Sequence, residues 1–250
     1  MPDSRSKAPP PTPPRFLTAG DRALVVEFGS TVDEAVNERV MALDARIVAA
    51  GVEGVVETVP TYRSLQVVYD PAVVRAARLI PRLAELAAET GTAARSRRLW
   101  TIPVCYGGEH GEDLDWVAET HGMTAERVGE IHADALYRVY MSGFTPGFAS
   151  RGGLPSDLHT PRRHNPRTLV PAGSVAIGGQ QAAVFSGAAP SGWHMLGRTP
   201  VRTFDLRRED PFLVGPGDRI RFAPISADEF DSLSARAEAG DVVATCKEAD

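Results

Sequence analysis

The sequence predicts an α+β protein in two parts, an N-terminal part with the order β-α-β-β-α-β and a β-rich C-terminal part. Two observations predict this class. Up to about residue 97, apolar stripes at helical spacing alternate with runs of β-favouring residues. From residue 98 onward, short β-favouring segments are separated by turns rich in glycine and proline, which is typical of a barrel or sandwich.

The first elements are a strand over 22–28 and the helix that follows it. Thr31 and Glu34 have the spacing of a capping box, and Gly51 ends the helical pattern. The apolar residues of this helix recur at a spacing that places them on one face. They are Val36, Val40, Leu43 and Ile47.

A second helix is predicted from Asp70, as cap, and Pro71, as first-turn residue, to about Gly91, with a kink or break at Pro81. Three more strands complete this part, over 52–59, 64–70 and 98–104. The resulting order is the split βαβ arrangement of a ferredoxin-like domain. We therefore predict a disordered proline-rich tail over 1–14 and a ferredoxin-like domain over 15–97.

The C-terminal part is predicted as one β-rich domain over 98–240, followed by a tail over 241–250. Two short helices come first, and Ser226 and Glu229 form a capping box for the last helix. The helical segments are 113–122, 124–134 and the stretch after Ser226. Strands are predicted over 137–142, 174–179, 181–186, 200–205 and 218–225.

Composition and charge exclude several classes of function. The net charge of −5 gives no basic excess for nucleic acid or an anionic membrane, and no apolar run approaches the length that spans a bilayer. The two lysines, Lys7 and Lys247, lie in the predicted tails, which argues against a Schiff-base or P-loop lysine in the fold. Cys105 and Cys246 have no CxxC partner, so we expect a reduced, cytoplasmic setting and no metal site.

Stretch 143–175, GFTPGFASRGGLPSDLHTPRRHNPRTLVPAGSV, holds five glycines and five prolines and little apolar periodicity. A connection of this length within a domain is uncommon unless it is functional or packed. Proline fixes φ and glycine permits tight turns, so the loop can be stiff without a ladder of hydrogen bonds. Arg162, Arg163 and Arg167 would then be rigid cations suited to a carboxylate or phosphate, or else would pair with surface carboxylates.

These residues resemble a known family. The collinear motifs over roughly 100–225 include GFTPGF, PRRHNPRTLVPAGSVAIGGQQ, GWHMLGRTP and PGDRIRF, and they resemble the family of 5-oxoprolinase B subunits. This group is also called allophanate hydrolase subunit 1 or the Kip inhibitor family. The resemblance implies a cyclophilin-like β-barrel for the C-terminal domain, a homologous C subunit as partner, and an A subunit.

The activity that the resemblance implies is ATP-dependent opening of 5-oxoproline to L-glutamate by the complex, with ATP bound with or by the partner subunits. Two alternatives stay open: a carboxyltransferase subunit of the allophanate hydrolase or urea carboxylase type, and a non-catalytic protein that inhibits a kinase. The substrate would be a small anionic amide in either enzymatic case.

The chain departs from the family pattern at three places, one of which is residues 189–193, Ala-Pro-Ser-Gly-Trp, where the family commonly has Ser-Pro-Gly-Gly-Trp. Ser150 and Arg151 follow GFTPGFA where the family usually has an aromatic residue and a leucine. Residues 182–186, AAVFS, replace the usual Thr-Gly-Ile-Tyr-Pro, so two hydroxyls are missing. If those hydroxyls contact substrate in the family, this chain has a different substrate or a weak activity. Otherwise the changes reflect only lineage drift in how the barrel is packed.

The candidate site residues follow from the stiff loop and from positions that match the family. A cyclic amide with a carboxylate needs cations or N–H donors and a proton shuttle. The catalytic candidates are His132, Arg162 and Arg198. The substrate-binding candidates are Phe144, Pro146, Phe148, Arg163, Arg167, Pro171, Gly173, Ser174, Gln181, Trp193, His194 and Thr199. For each, a purely structural role is the alternative.

Overall fold

The structure is a computed structural model that describes residues 13–89 and 97–249. The chain divides into two compact units, residues 1–94 and 95–250, where the sequence predicts a boundary after residue 97. The predicted disordered tail over 1–14 lies outside the described residues, except for positions 13 and 14.

The N-terminal unit is a four-stranded sheet with two helices. Its elements are β1 Arg15–Thr18, β2 Ala23–Glu27, α1 Glu34–Ala50, β3 Val55–Pro60, β4 Ser64–Tyr69 and α2 Ala76–Ala88. The strand order is β1-β2-β4-β3, and every neighbouring pair is antiparallel. Strands β2 and β3 therefore run parallel on either side of β4, which is the split βαβ arrangement that the sequence predicts.

The source of the fourth strand differs from the prediction. The sequence predicts that segment 98–104 completes this sheet, but that segment belongs to the C-terminal unit. Strand β1 takes its place, in a hairpin with β2 whose register sets Phe16 opposite Val26. A hairpin needs only a short turn, so a local pairing supplies the edge strand.

Both predicted helix starts in this unit are wrong by a few residues. Asp33, rather than Thr31, caps α1, and its Oδ1 accepts a hydrogen bond from the Val36 N–H at 3.0 Å. Asp70 accepts from the Ala72 N–H at 2.9 Å in a separate turn, and α2 begins only at Ala76. Aspartate side chains satisfy nearby N–H groups in turns as well as at caps, so spacing alone does not fix the first helical residue.

The C-terminal unit is built around a closed barrel. Its helices are α3 Leu114–Thr120, α4 Ala125–Asp134 and α5 Ala227–Ala239. Its strands are β5 Arg97–Tyr106, β6 Tyr137–Ser142, β7 Ala149–Gly152, β8 Arg167–Val170, β9 Ser174–Gly178, β10 Gln181–Val184, β11 Ala189–Ser191, β12 His194–Arg198, β13 Arg219–Pro224 and β14 Thr245–Ala249.

Seven of the strands within residues 97–249 close the barrel in the order β12-β9-β10-β7-β6-β13-β5, because β12 also pairs with the end of β5. Strand β13 lies parallel to β5, and the other barrel pairs are antiparallel. Strands β8 and β11 form a separate two-stranded ribbon. The main apolar core fills this unit and includes residues from β5, α3, α4 and β13.

Three predictions for this unit need correction. Residues 245–249 form β14, which pairs antiparallel with β5, so the segment 241–250 is not simply a tail. Residues 200–205 form no strand and make only an isolated bridge from Phe204 to Phe212. The stretch 143–175 is not one loop, because it contains β7 and β8.

The predicted capping box of the last helix is confirmed. Ser226 Oγ accepts a hydrogen bond from the Glu229 N–H, and the Glu229 carboxylate accepts one from the Ser226 N–H at 2.9 Å. These reciprocal bonds satisfy two N–H groups that a helix start leaves unpaired.

Candidate functional site

The arginine-rich segment is organised by Asp113, a buried residue at the start of α3 that the sequence prediction missed. Its carboxylate accepts hydrogen bonds from Arg163 at 2.7 Å and from two nitrogens of Arg167 at 2.7 and 2.9 Å. The Met195 N–H of β12 donates to the same carboxylate at 2.8 Å. One carboxylate thus connects α3, the segment 161–167 and the barrel.

The charges of this network are strongly coupled. Burial raises the pKa of Asp113, but hydrogen bonds from Arg167 and the Met195 N–H, with the charges of Arg167 and Arg163, outweigh burial and bring that pKa below its ordinary value. The hydrogen bond to Asp113 raises the pKa of Arg167. Arg163 and Arg167 are therefore held as rigid cations, as the sequence suggests, but the partner that holds them belongs to the chain itself.

Arg162 differs from its two neighbours. Its side chain is exposed, its guanidinium carbon lies 5.5 Å from the centre of the Trp193 ring, and it has no ion pair within the described residues. The Arg163 N–H donates to the Gly192 carbonyl oxygen at 2.7 Å, which anchors the segment beside that tryptophan. Arg162 is thus a cation of this segment that remains available to an external anion.

Trp193 belongs to a cluster of aromatic rings outside the main core. Phe148 and Phe185 contact it edge to face, with ring centres 6.3 and 6.4 Å away, and Phe144 contacts Phe148 at 5.5 Å. Phe148, Phe185 and Trp193 are buried in a small second core, whereas Phe144 is 71% exposed. We call these four residues with Arg162 the aromatic cluster.

The backbone at Phe144 is unusual. Its φ is 68°, and among the described residues it is the only one other than glycine whose φ is positive. A bulky residue in the left-handed region stores strain, which occurs preferentially at binding sites and active sites. The GFTPGF turn therefore holds an exposed ring on a strained backbone.

Gly178 permits the close packing of Trp193, and Gly173 permits a close approach of the turn before β9 to the residue after β12. A Cβ on Gly178 of β9 would come within 2.9 Å of the Trp193 ring. A Cβ on Gly173 would come within 2.3 Å of the Thr199 carbonyl oxygen, and its φ of 81° also favours glycine. Gly173 therefore shapes the backbone here and offers no side chain to a ligand.

His132, the proposed acid/base, lies in the core of the barrel unit. Its ring is fully buried, stacks on Phe222 with ring centres 4.7 Å apart, and shares a hydrogen bond of 2.7 Å between Nδ1 and the Tyr106 hydroxyl. Burial, aided by the charge of Arg151, lowers the pKa of His132 to about 3. A fully buried, neutral ring cannot contact a ligand at the exposed segment, so we assign it no proton transfer there.

Several other candidates have structural partners. Ser174 Oγ donates to the Pro171 carbonyl oxygen at 2.8 Å, and Thr199 Oγ1 accepts from the Val201 N–H at 3.1 Å. Arg198 Nε donates to the Ala172 carbonyl oxygen at 3.0 Å. These contacts stabilise the connection between β8 and β9 and the end of β12. They do not bring Arg198 into the aromatic cluster.

His194 follows Trp193 directly and is also held by the chain. Its Nε2 is 2.9 Å from the Pro161 carbonyl oxygen, and its ring stacks on Trp116 with the centres 4.5 Å apart. Burial lowers the pKa of His194 despite that hydrogen bond. Pro146 and Pro171 lie in turns, and Gln181 is half-buried at the start of β10.

A cavity of about 450 Å³ opens near the GFTPGF turn, and the sequence does not indicate it. Ser142, directly before the turn, lines it together with Phe212 and Asp218. Arg98 pairs with Asp218 on its wall at 2.8 Å, and the Trp100 indole N–H donates to the same carboxylate at 3.2 Å. The segment 142–148 thus contributes to both the cavity and the aromatic cluster.

Neither a metal site nor a membrane segment is found in the part of the chain that the structure describes. No group of three or more His, Cys, Asp or Glu side chains there is arranged to hold a metal ion. No helix of residues 13–89 and 97–249 combines the length and apolar character needed to cross a bilayer.

Sequence signals for the missed residues are weak. Asp113 stands in an acidic pair with Glu112 before a helix, and such pairs are commonly solvent-exposed caps. Only the fold places it against two arginines 50 and 54 residues away in the chain.

The family profile for the carboxyltransferase domain, subdomains C and D, matches residues 14–214. The chain belongs to this carboxyltransferase domain family. A curated relative, the 5-oxoprolinase B subunit of Escherichia coli O157:H7, is 40% identical over 210 residues, which cover 84% of this chain and 95% of that protein. The resemblance that the motifs indicate is thereby confirmed.

Solved structures of similar proteins match the fold of this chain. The crystal structure of TTHA0988 matches with a TM-score of 0.74 and 38% identity, and the match covers 82% of this chain but only 40% of that one. The Kluyveromyces lactis urea amidolyase matches with a TM-score of 0.79 at 19% identity, over 94% of this chain and 16% of that one, which shows the fold alone. The predicted fold class is confirmed.

Proposed function

We propose that this chain is the B subunit of an ATP-dependent 5-oxoprolinase, which opens 5-oxoproline to L-glutamate with a homologous C subunit and an A subunit. The observation that carries the proposal is the 40% identity to a 5-oxoprolinase B subunit across 95% of that protein. The aligned region covers 84% of this chain and 95% of that subunit. The similarity therefore extends over both units of the chain and is not limited to one shared motif.

The aromatic cluster supplies the recognition part of this proposal. The substrate carries a carboxylate, and Arg162 is an exposed guanidinium held over Trp193. A guanidinium supported by an aromatic face is pre-oriented for bidentate binding of a carboxylate. Asp113 fixes the segment through Arg163 and Arg167, so these two arginines position Arg162 rather than bind substrate themselves.

Activation of the amide is assigned to the complex. Phosphorylation of the carbonyl by ATP would make a poorly electrophilic amide reactive, and the lysines of this chain, Lys7 and Lys247, offer no P-loop. We therefore assign nucleotide binding to the partner subunits and place the complex in the cytoplasm, where ATP is available.

The second candidate is a carboxyltransferase subunit acting on a urea-derived amide. The observation that favours it is the family match itself, because the profile that matches residues 14–214 is that of a carboxyltransferase domain. The residues at 182–185 that lack the hydroxyls expected by the resemblance are also compatible with a different substrate.

The test is glutamate release from 5-oxoproline by the reconstituted complex, with ATP present or omitted and with each subunit omitted in turn. Turnover is expected only with all components. Absence of turnover by the complete complex, together with ATP-dependent activity on a urea-derived substrate, would favour the second candidate.

The Arg162→Ala variant tests the recognition role. We expect the KM for 5-oxoproline to rise roughly 10–100-fold, because a charge-assisted hydrogen bond contributes about 1.5–3 kcal/mol. Arg127→Ala, on the exposed surface of α4, is the matched control and should leave KM unchanged. An unchanged KM in Arg162→Ala would remove that residue from the substrate site.

A further inference from the structure

The cavity of about 450 Å³ near the GFTPGF turn lies at one end of the barrel. Arg219 of β13 pairs with Leu99 of β5 and with Arg138 of β6, so the start of β5, the end of β6 and the segment before β13 meet at that end. The described residues that line the cavity come from these three places. The mouth of a barrel is a common location for a small-molecule site, and such sites typically have volumes of about 300–1,000 Å³. The cavity therefore has the position and the room of a ligand site.

The carboxylate in the cavity wall has no capacity left for a ligand. Asp218 Oδ2 accepts hydrogen bonds from Arg98 Nη2 at 2.8 Å, from the Trp100 indole at 3.2 Å and from the Gly215 N–H at 2.9 Å. Asp218 Oδ1 accepts a fourth from Arg98 Nε at 3.2 Å. Because a carboxylate offers about four acceptor positions, these donors occupy Asp218 and exclude it as a site for a cationic ligand.

The polar groups that remain in the wall can donate. Asp218 fixes Nε and Nη2 of Arg98, whereas Arg98 Nη1 has no hydrogen-bond partner within the described residues, and the side chain is 34% exposed. The hydrogen bond to Asp218 raises the pKa of Arg98, so the guanidinium is charged. The Ser142 hydroxyl is exposed and also has no partner among residues 13–89 and 97–249. The polar end of a ligand should therefore be an acceptor.

The rest of the cavity wall is mainly apolar. Phe212 is 45% exposed, and its ring centre lies 5.1 Å from that of Phe204, which supports it from one side. Val214 and Pro216 also line the cavity. Covering an exposed aromatic ring with apolar atoms removes both surfaces from water, which favours binding. The ligand should therefore carry an apolar body as well as an acceptor.

The charges around the cavity restrict how an anion can bind. Asp218 balances the formal charge of Arg98, and the charge of Asp210 also reaches this guanidinium. A general positive field is therefore absent from the described wall, and a ligand must make a direct hydrogen bond to the free edge of Arg98. Arg167 shows that one guanidinium in this chain contacts two carboxylates, those of Asp113 and Glu112. Binding of modest affinity is expected.

We propose that this cavity binds a small organic monocarboxylate with an apolar body. The carboxylate accepts hydrogen bonds from Arg98 Nη1 and from the Ser142 hydroxyl, and a charged donor and acceptor strengthen the first of these bonds. The apolar body packs on Phe212 and Val214. No residue of the aromatic cluster is among the described residues that line the cavity, so this site is distinct from Arg162 and does not depend on the proposed hydrolase activity.

The test follows the indole N–H signals of the full-length protein by ¹H–¹⁵N NMR at pH 7 during titration with benzoate. The chain has three tryptophans, so three signals are expected, and replacing each with phenylalanine assigns them. Trp100 contacts Asp218 in the cavity wall, whereas Trp193 lies beside Arg162 in the aromatic cluster. We expect benzoate to shift the Trp100 signal with a Kd in the millimolar range. Arg162→Ala should keep this shift.

Ligands that lack one part of benzoate test the two halves of the site. Benzyl alcohol and benzylamine keep the ring without the carboxylate, and acetate keeps the carboxylate without the ring. Each should bind roughly 10-fold more weakly than benzoate, because each loses either the charge-assisted hydrogen bond or the apolar contact. Equal Trp100 shifts with benzoate and benzyl alcohol would overturn the assignment of a carboxylate ligand.

Gly215→Leu blocks the cavity without removing a polar group. A Cβ at position 215 would meet Arg98 Nη2 at 3.9 Å, an ordinary contact, so the leucine side chain lies beside the guanidinium. Its Kd for benzoate should rise at least about 10-fold, whereas Gly187→Leu, where a Cβ meets open space, should bind as the parent does. Ser142→Ala should raise the Kd roughly 3–10-fold.

Arg98→Lys keeps a cation for Asp218 but lacks Nη1, and it takes the place of Gly215→Leu if that variant does not fold. It should also weaken benzoate binding at least about 10-fold. An unmoved Trp100 signal in the parent would overturn the proposal, as would a benzoate shift confined to Trp193. The same Trp100 titration in the parent and in a folded blocking variant would overturn it too.

Discussion

At the scale of single residues, Asp113 has the largest structural role in the candidate site. Its side chain is only 6% exposed and joins two arginines and a backbone N–H of β12. Removing one partner of such a network leaves the other charges unpaired, which costs more than the pair contributes net. Arg162 can remain exposed over Trp193 because its neighbours Arg163 and Arg167 are fixed in this way.

Asp113→Asn should lower the free energy of unfolding at pH 7 by about 2–3 kcal/mol. The folded-state pKa of Asp113 lies below its unfolded value of about 4, so its contribution is present above the unfolded pKa. That contribution is lost as the pH falls through the folded-state pKa. Urea unfolding of both proteins between pH 7 and pH 3 should show the difference shrinking in acid.

The control for this change is the adjacent Glu112→Gln. Glu112 is 58% exposed and makes one contact with Arg167 at 3.2 Å, so its loss should change stability by less than about 0.5 kcal/mol. Equal effects of the two substitutions would mean that Asp113 does not organise the segment.

At the scale of elements, β9 and the turn before β12 depend on a close approach. Trp193 precedes β12, and its ring lies against the backbone of Gly178 at the end of β9. The same ring carries Arg162 on its surface. The position of the proposed carboxylate-binding group is therefore set by strand packing and not by the loop alone.

Gly178→Ala should destabilise the protein by about 1–3 kcal/mol, because the added Cβ would lie 2.9 Å from ring atoms of Trp193 and force the ring to move. Urea unfolding gives the stability, and the near-ultraviolet circular dichroism of tryptophan reports the displaced ring. Gly187→Ala is the matched control, since a Cβ there meets open space. A Gly178 variant as stable as the Gly187 variant would show that the ring has room.

At the scale of the whole molecule, the C-terminal unit has its own core and a sheet that closes on itself. Strand β12 pairs with the end of β5, so neither strand has a free edge where they meet. Strand β14 pairs with another part of β5. A unit with its own core can fold alone. The last strand is thus part of the barrel unit and not an appendage.

A fragment of residues 95–250 should therefore unfold cooperatively by itself, as followed by circular dichroism. Residues 95–240 give the matched truncation, which lacks β14 and its five-residue pairing with β5. Its free energy of unfolding should be lower by about 2–4 kcal/mol, since each net hydrogen bond contributes about 0.5–1.5 kcal/mol. If the two fragments were equally stable, residues 241–250 would contribute nothing to the stability of the barrel unit, and the prediction would be wrong.

Much of the fold can be predicted from sequence because local chemistry decides it. The apolar stripe of α1, the Ser226–Glu229 capping box and the strands β6, β9, β10 and β13 are recognisable from residue patterns. The motifs between 143 and 225 also indicate the family. Errors occur where two local signals compete, as at Asp33 and Asp70, or where pairing joins distant segments, as in β14.

Residue patterns alone establish the fold class, the family and a proline-stiffened segment with three neighbouring cations. Long-range packing selects which cation is available, because the partner of Arg163 and Arg167 lies about fifty residues away and reaches them only when α3 meets β12. The same packing buries His132 and Arg151 in one core. Burial and ion pairing depend on contacts between residues far apart in the chain, and no local pattern encodes them.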